Sequence, residues 1–159
     1  MASSISRRTT SWPISAEALT HGNARRTIVL VKIVSDTNTF LAVALGEPER
    51  PLIIRATQGH ELLAPEILPF EIGNALTALM KKRALDPEEI PSVWEAAQRI
   101  PVALQSIDIP RALKLASHFN IYAYDAYFLE CALATRSPLL TLDRRLKAVA
   151  KEAGVEALE

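Results

Sequence analysis

The feature that most constrains this chain is a short apolar run, IVLVKIV at residues 28–34, which ends abruptly in the polar sequence SDTNT. β-Branched residues are frequent in the run, and apolar side chains occupy nearly every position rather than alternate ones. This pattern predicts a strand buried on both faces, as in the interior of a parallel sheet. Lys32 interrupts the run, so the strand begins either at residue 28 or at Lys32. In both cases Asp36 lies at its carboxyl end, the edge where open α/β sheets bind ligands.

The rest of the chain alternates between helix and strand patterns. Strands are predicted over residues 60–64, 102–107, 138–142 and 155–158. Helices are predicted over residues 40–45, 48–58, 69–80, 87–99, 122–135 and 144–153, with a further helix that is capped by Asp108 and includes Phe119. Gly46 is predicted to end the first helix. This alternation indicates an α/β domain with a parallel sheet and helices on both faces.

Composition supports one compact domain and excludes several classes of protein. A chain of 159 residues with 49% hydrophobic content can bury a substantial core. The single cysteine, Cys131, excludes an intrachain disulfide and a thiolate zinc site, and fits a reducing cytoplasm. No window of about 18 uninterrupted apolar residues predicts a membrane span.

Charge gives no argument for nucleic-acid binding. The formal net charge is zero, and the first 27 residues hold four arginines and one acid, which leaves 14 basic and 17 acidic groups beyond them. The cluster Arg144, Arg145 and Lys147 is interpreted as a solvated helix face rather than a phosphate clamp.

Residues 1–27 differ in character from the rest of the chain, because they contain few groups suited to a core. They are predicted to form a disordered N-terminal extension, and residues 28–159 the folded domain. Arg7 and Arg8 are reminiscent of a twin-arginine export signal, and the scarcity of acids of an organelle transit peptide. However, residues 12–23 form no apolar signal region. An extension added before a natural start near Val31 is a further interpretation.

Four acids occupy related positions in the predicted elements. Asp36 and Asp143 each follow an apolar strand, whereas Glu71 and Asp125 each lie in the first turn of a helix. In a doubly wound sheet these positions can converge on one edge. Neighbouring carboxylates raise one another's pKa, and a hard divalent cation such as Mg²⁺ or Mn²⁺, which prefers oxygen ligands, would resolve the conflict.

Each acid alone also has a structural explanation. Glu71 and Asp125 would stabilise a helix start through the dipole, and Asp143 would serve as the N-cap of the last helix. Asp36 is harder to explain in this way, since an acid that ends the most apolar strand is costly to desolvate. Thr141 and Asn38 add polar groups near the same edge, although Asn38 is equally suited to cap a helix.

The joint pattern is more specific than any single acid. In order along the chain, VSDTNTF at residues 34–40, PFEIGNAL at 69–76, YDA at 124–126 and LTLDRRL at 140–146 closely resemble the motifs of the PIN-domain endoribonucleases. Within that family the chain is most similar to the VapC toxins of toxin–antitoxin pairs. The resemblance extends from Val31 to Leu158 and includes all four acidic positions. The segment before Val31 departs from it, because such proteins typically begin just before the first strand.

The resemblance implies a three-layer α/β/α sandwich with a central parallel sheet, and hydrolysis of RNA phosphodiester bonds. It also implies a homodimer, and a small antitoxin protein as a partner whose segment lies in a groove near the active site. A bound metal would lower the pKa of a water and neutralise charge that builds on the phosphate. The implied site is a Mg²⁺ or Mn²⁺ site at Asp36, Glu71, Asp125 and Asp143, with Asn38 and Thr141 orienting ligands or waters from behind.

Two other functions compete with a metal-dependent ribonuclease. A phosphatase or phosphotransferase with Asp36 as nucleophile would commonly have a second acid two residues later, where this chain has Asn38. A PIN-like RNA-binding or interaction module without catalysis would have no reason to keep four acids.

The middle of the chain holds more large apolar residues than two short helices need for one sheet face. Some are therefore expected to remain exposed and to mark a partner surface. Trp94, or a neighbour on the helix from Pro87 to Ile100, is the predicted interface residue, with ordinary core packing as the alternative.

Overall fold

The computed structural model describes residues 30–158, and a single parallel sheet lies at its centre. The order of the strands across the sheet is β3-β2-β1-β4-β5. All four strand pairings are parallel. The strands, in chain order, are β1 (Lys32–Ser35), β2 (Glu61–Pro65), β3 (Ala103–Gln105), β4 (Leu139–Leu140) and β5 (Ala157–Leu158).

Seven α-helices connect or flank these strands in the described part of the chain. Their bounds are α1 (Thr37–Leu45), α2 (Arg50–Thr57), α3 (Leu68–Lys81), α4 (Ile90–Gln98), α5 (Ile109–Phe119), α6 (Ala123–Thr135) and α7 (Arg144–Glu152). A 3₁₀ turn at Pro87–Glu89 leads directly into α4. Helix α1 contacts α2, α3 and α4 in one layer, whereas α6 packs on β1, β2 and β4 together with its neighbour α5. The fold is therefore the three-layer α/β/α sandwich that the resemblance implies.

The sheet is built outward from β1. Val34 is paired with Leu63 of β2 on one side and with Leu139 of β4 on the other, and it is fully buried. The chain moves from β1 to β2 and β3 in one direction and later returns to place β4 on the opposite side of β1. The reversal of strand order between β1 and β4 is a topological switch point, where a crevice opens at the carboxyl ends of the strands.

The core explains why α6 has no clear amphipathic pattern. A complete turn of this helix is buried, from Phe128 to Ala132, because it lies between the sheet and α5. A helix that is enclosed on most sides needs apolar residues all round rather than on one stripe. Glu130 is the charged exception within this turn, with 2% of its surface exposed.

The predicted elements are confirmed, with several changes in their bounds. The first strand begins at Lys32, and α1 begins at Thr37 rather than residue 40, because the residue before it caps the helix. Gly46 ends α1 with a φ of 74°, a left-handed conformation that favours glycine. The predicted strands at 102–107 and 138–142 were too long, since pairing is limited to the three residues of β3 and the two of β4.

The predicted N-terminal extension, residues 1–27, and residues 28 and 29 of the apolar run lie outside the described residues. Among residues 30–158, no helix is both long enough and apolar enough to cross a bilayer.

Candidate active site

Asp36 lies where β1 passes into α1, at the carboxyl edge of the sheet. Its Oδ1 accepts a hydrogen bond of 3.0 Å from the backbone N–H of Thr39, so it is the N-cap of α1. Its own N–H donates to the carbonyl of Leu140 at 3.1 Å, which ties the residue to the neighbouring strand. The side chain is only 4% exposed. A carboxylate that only capped a helix would not need such burial, so the capping role does not account for the whole environment of Asp36.

Thr141 connects Asp36 to the segment after β4. Its hydroxyl donates a hydrogen bond to Oδ2 of Asp36. The hydroxyl oxygen of Thr141 also accepts a hydrogen bond of 3.0 Å from the backbone N–H of Asp143. Thr141 is fully buried. With Oδ1 engaged by the helix cap and Oδ2 by Thr141, the orientation of the Asp36 carboxylate is fixed on both sides.

Glu71 approaches the same edge from α3. It lies in the first turn of that helix, and its carboxylate accepts a hydrogen bond from the hydroxyl of Thr37 at the start of α1. Thr37 is buried and Glu71 is partly buried. The hydroxyl therefore holds the carboxylate of one helix against the first turn of another.

Asp125 and Asp143 complete the acidic edge from the opposite side. Asp125 lies in the first turn of α6, and Asp143 caps α7 through a 2.8 Å hydrogen bond from the N–H of Leu146 to its Oδ1. Asp143 follows β4 after two intervening residues, not directly as predicted, because β4 ends at Leu140. The N-cap explanation for Asp143 is thus correct, and it coexists with a position near the other acids.

The acids influence one another electrostatically. Burial, together with the charges of Glu71 and Asp125, raises the pKa of Asp36 from 3.8 to about 7, against the lowering effect of the Thr141 and Thr39 hydrogen bonds. Burial and the charge of Asp125 raise the pKa of Glu71, despite its hydrogen bond from Thr37. Burial and Asp143 raise the pKa of Asp125, which the Arg145 guanidinium partly offsets. Burial and the neighbouring acids therefore disfavour the ionised form of these three carboxylates when no cation is bound.

The four carboxylates lie at one edge of the sheet but do not form a closed ligand cluster. Among residues 30–158, no three acidic, histidine or cysteine side chains stand close enough to hold a metal ion in their present positions. The chemistry of the donors nevertheless fits a hard cation, since carboxylate oxygens are the ligands that Mg²⁺ and Mn²⁺ prefer.

All four acids lie within a stretch of the chain that matches a known family. A profile of the PIN domain family matches residues 33–152, from the first strand to the last helix. The chain belongs to the PIN domain family.

The individual relatives of this PIN domain have low sequence identity to it. Ribonuclease VapC3 of Pyrobaculum aerophilum is 26% identical over 121 residues, which span 73% of the chain and 92% of that relative. The crystal structure of PAE2754 from Pyrobaculum aerophilum superposes with a TM-score of 0.60 at 22% identity, over 80% of the chain and 91% of PAE2754. A PilT N-terminus domain protein, SSO1118 from Sulfolobus solfataricus P2, gives a TM-score of 0.42 at 16% identity, over 80% and 86% of the two chains. The first likeness to a solved structure supports the same fold.

Several polar groups of the PIN domain edge were not predicted from the sequence. Thr37 was missed, as was a buried pair in which the hydroxyls of Ser35 and Thr39 lie 2.5 Å apart. The Thr39 hydroxyl also donates to the carbonyl of Asp36 at 2.7 Å. The one available signal was the density of hydroxyl residues in SDTNT, immediately after an apolar strand.

Asn38 does not cap a helix, since Asp36 does so, and its side chain is exposed. It lines a groove of about 480 Å³ between α1 and α3, which Asp143 reaches at one end. Apolar side chains make up most of the walls, and Glu47 and Lys82 add charge. This groove is the part of the PIN domain surface that continues from the acidic edge.

Proposed function

We propose that this PIN domain is a metal-dependent endoribonuclease that hydrolyses RNA phosphodiester bonds. The observation that carries the proposal is the set of carboxylates at the switch point, three of which have a raised pKa because they are buried near other acids. Such a cluster is costly for folding, so a purely structural origin is a poor explanation. The similarity to ribonuclease VapC3 supports the choice of substrate.

Mg²⁺ or Mn²⁺ would be held by carboxylates of this edge, with Asp36 as the innermost ligand. When bound, the metal supplies a lowered pKa for a coordinated water and neutralisation of charge on the phosphate. The expected metal ligands are Asp36, Glu71, Asp125 and Asp143. Asn38 and Thr141 would orient these ligands or the waters bound to the metal.

The protein's own contribution is orientation and charge. The hydroxyls of Thr141 and Thr37 each donate to one acid, which holds these carboxylates in place and favours their ionised form. Burial of Asp36 excludes water from one side of the site, so that charges there are screened less than at the surface. Arg145 places a cation near Asp125, where it would also attract the phosphate of a substrate.

The proposal includes partners as well as a substrate. The similarity to a VapC ribonuclease favours a toxin of a toxin–antitoxin pair, with a small antitoxin protein that binds in the groove lined by Asn38 and Asp143. A homodimer is the expected assembly. Exposed apolar side chains support a partner surface, and they include Phe70 and Leu113, which are 75% and 50% exposed. Trp94 is only partly exposed and packs against the core, so it is not the best candidate for that surface.

The decisive experiment is cleavage of single-stranded RNA by the purified protein, with Mg²⁺ or Mn²⁺ and with a chelator. Asp36→Asn should abolish metal-dependent cleavage. Asp86→Asn is the matched control, because Asp86 is an exposed aspartate at the start of the turn Pro87–Glu89, outside the site. Equal RNA cleavage by Asp36→Asn and the wild type would refute the assignment. Hydrolysis of a phosphate monoester in place of RNA would support an aspartate-nucleophile phosphatase instead.

A further inference from the structure

We propose that a basic stripe on α5 and α7 binds the RNA backbone and leads it to the acidic edge. The basic stripe consists of Arg111, Lys114 and His118 of α5 together with Arg145 of α7. The inference rests on the proposed ribonuclease function and deepens it, because it assigns the surface along which the substrate lies.

The three residues of α5 share one face of the helix. Their spacing of three and four residues places them in a row about 10 Å long, given a rise of 1.5 Å per residue. All three are exposed, and together with Leu115 they line a shallow cavity of about 470 Å³. The face therefore offers a concave surface with nitrogen donors along it, which suits the regularly spaced phosphates of a single strand.

Arg145 joins this row to the candidate active site. Its guanidinium donates a hydrogen bond to the carbonyl of Asn120, the residue that ends α5. The same guanidinium lies close enough to Asp125 to offset part of the rise in that residue's pKa. Arg145 therefore contacts the residue that ends α5 and lies near Asp125, between the basic row and the acidic edge.

Arg111 lies near a buried carboxylate. Its Nη1 lies 4.0 Å from Oε1 of Glu130, which is 2% exposed, while the Arg111 side chain is 57% exposed. Glu130 thus faces one nitrogen of a group that carries five N–H donors, and the rest of the guanidinium remains available at the surface. The buried carboxylate therefore attracts the exposed arginine without covering it.

The observations favour RNA over an acidic protein segment as the occupant. The row ends at carboxylates, which repel an acidic peptide but which RNA must approach for its phosphodiester to be cleaved. A phosphate along the row meets the cations Arg111, Lys114 and Arg145 and the N–H donor of His118, and at the edge a bound metal would neutralise its charge.

Binding of a fluorescent single-stranded RNA, measured by anisotropy over a range of salt concentrations, tests the stripe. All proteins carry Asp36→Asn so that the RNA stays intact. Lys114→Gln should weaken binding and reduce the slope of log affinity against log salt by about 0.7, the value for one lost phosphate contact. Adding Arg145→Gln should reduce the slope further by a similar amount. Lys32→Gln is the control, because Lys32 is an exposed lysine at the opposite end of β1.

A second readout separates the stripe from catalysis. With Asp36 restored, Lys114→Gln should lower kcat/KM for the RNA much more than kcat/KM for bis(p-nitrophenyl) phosphate, a diester too small to reach from the active site to the stripe. Unaltered RNA affinity and salt slope in both stripe variants would overturn the inference, as would equally tight, stripe-dependent binding of polyglutamate. If the wild type binds RNA through the stripe but cleaves no diester, the proposed function fails while the stripe stands.

Discussion

The hydroxyl of Thr141 donates a hydrogen bond to the carboxylate of Asp36, although the two residues are 105 positions apart in the sequence. Parallel pairing of β1 with β4 creates this contact, because it places the residues just beyond the two strands side by side at the switch point. The Thr141 oxygen also accepts the N–H of Asp143. One buried hydroxyl therefore positions groups that belong to two acids of the candidate site.

Thr141→Val removes that hydroxyl with little change in shape. Asp36 would lose the hydrogen bond that most lowers its pKa, so its pKa should rise from about 7 to a higher value. RNA cleavage should then need a higher pH, and the acidic limb of the kcat/KM profile should move upward. Thr141→Ser keeps the hydroxyl and should retain the wild-type profile. A valine variant with an unshifted profile would show that the hydrogen bond does not tune Asp36.

The raised pKa of Asp36 predicts how stability depends on pH. Because the pKa is about 7 in the folded protein against an ordinary value of 3.8, the folded state binds this proton more tightly than the unfolded state. The corresponding stabilisation is complete below about pH 4 and is lost as the pH rises through 7. Glu71 and Asp125 act in the same direction.

Asp36→Asn isolates this effect. Without metal, the variant should gain free energy of unfolding relative to the wild type as the pH rises from 5 to 8, by an amount on the order of a few kcal/mol. Chemical denaturation with a chelator present at each pH measures the difference. If the difference stays constant over that range, Asp36 does not have the raised pKa described here.

Sequence reasoning located the acids and Thr141, which holds Asp36, but it did not find Thr37 or a role for Arg145. Asp36 was recognisable because a single acid ends the most apolar run of the chain, and Gly46 because it ends a helix. The role of Thr37 could not be recognised, since its partner Glu71 lies 34 positions away and contacts it only when α1 and α3 pack together. Arg145 looked like part of a solvated helix face, and only the end of α5 beside it gives that side chain a role.

The sequence pattern also could not predict the lengths of the strands or which apolar side chains remain exposed. The run from Pro138 to Leu142 is apolar except for Thr141, yet only Leu139 and Leu140 pair with β1 and β5. The surplus of apolar residues in the middle of the chain was real, but which of them packs inward depends on how α4 lies against α1 and α3. Trp94 turns partly to the core, while Phe70 is left exposed.

Metal addition should stabilise the folded protein if the edge binds Mg²⁺ or Mn²⁺. At a metal concentration a hundredfold above its dissociation constant, the gain is about 2.7 kcal/mol, enough to raise Tm by several degrees. Asp36→Asn should lose most of this gain, whereas Asp86→Asn should keep it. A scan of Tm against metal concentration, with Ca²⁺ for comparison, makes the measurement. An equal rise in Tm for Asp36→Asn would place the metal elsewhere.

Glu130 and Arg111 should respond unequally to mutation. Glu130 is buried, and among the described residues its Oε2 has no hydrogen-bond partner. Arg111→Met would leave this carboxylate without its cation and should cost about 1 to 3 kcal/mol. Glu130→Met replaces the charge by an apolar group of similar size and should be neutral or stabilising. Equilibrium denaturation of both variants measures the asymmetry, and equal losses would contradict it.

Phe70 is the residue on which the homodimer is expected to depend. It directly precedes Glu71 in α3 and is 75% exposed, which is a large apolar area to leave in water beside a carboxylate of the candidate site. Burial of one phenylalanine contributes about 2 kcal/mol, and a symmetric interface buries two copies, so Phe70→Asp should weaken dimerisation roughly a thousandfold. Size-exclusion chromatography with light scattering should therefore give the mass of a dimer for the wild type and of a monomer for this variant. Leu52→Asp is the control, because Leu52 is an exposed apolar residue on α2 and should leave the mass unchanged. A wild-type monomer at tens of micromolar would remove the homodimer, and an intact Phe70→Asp dimer would place its interface on another part of the surface.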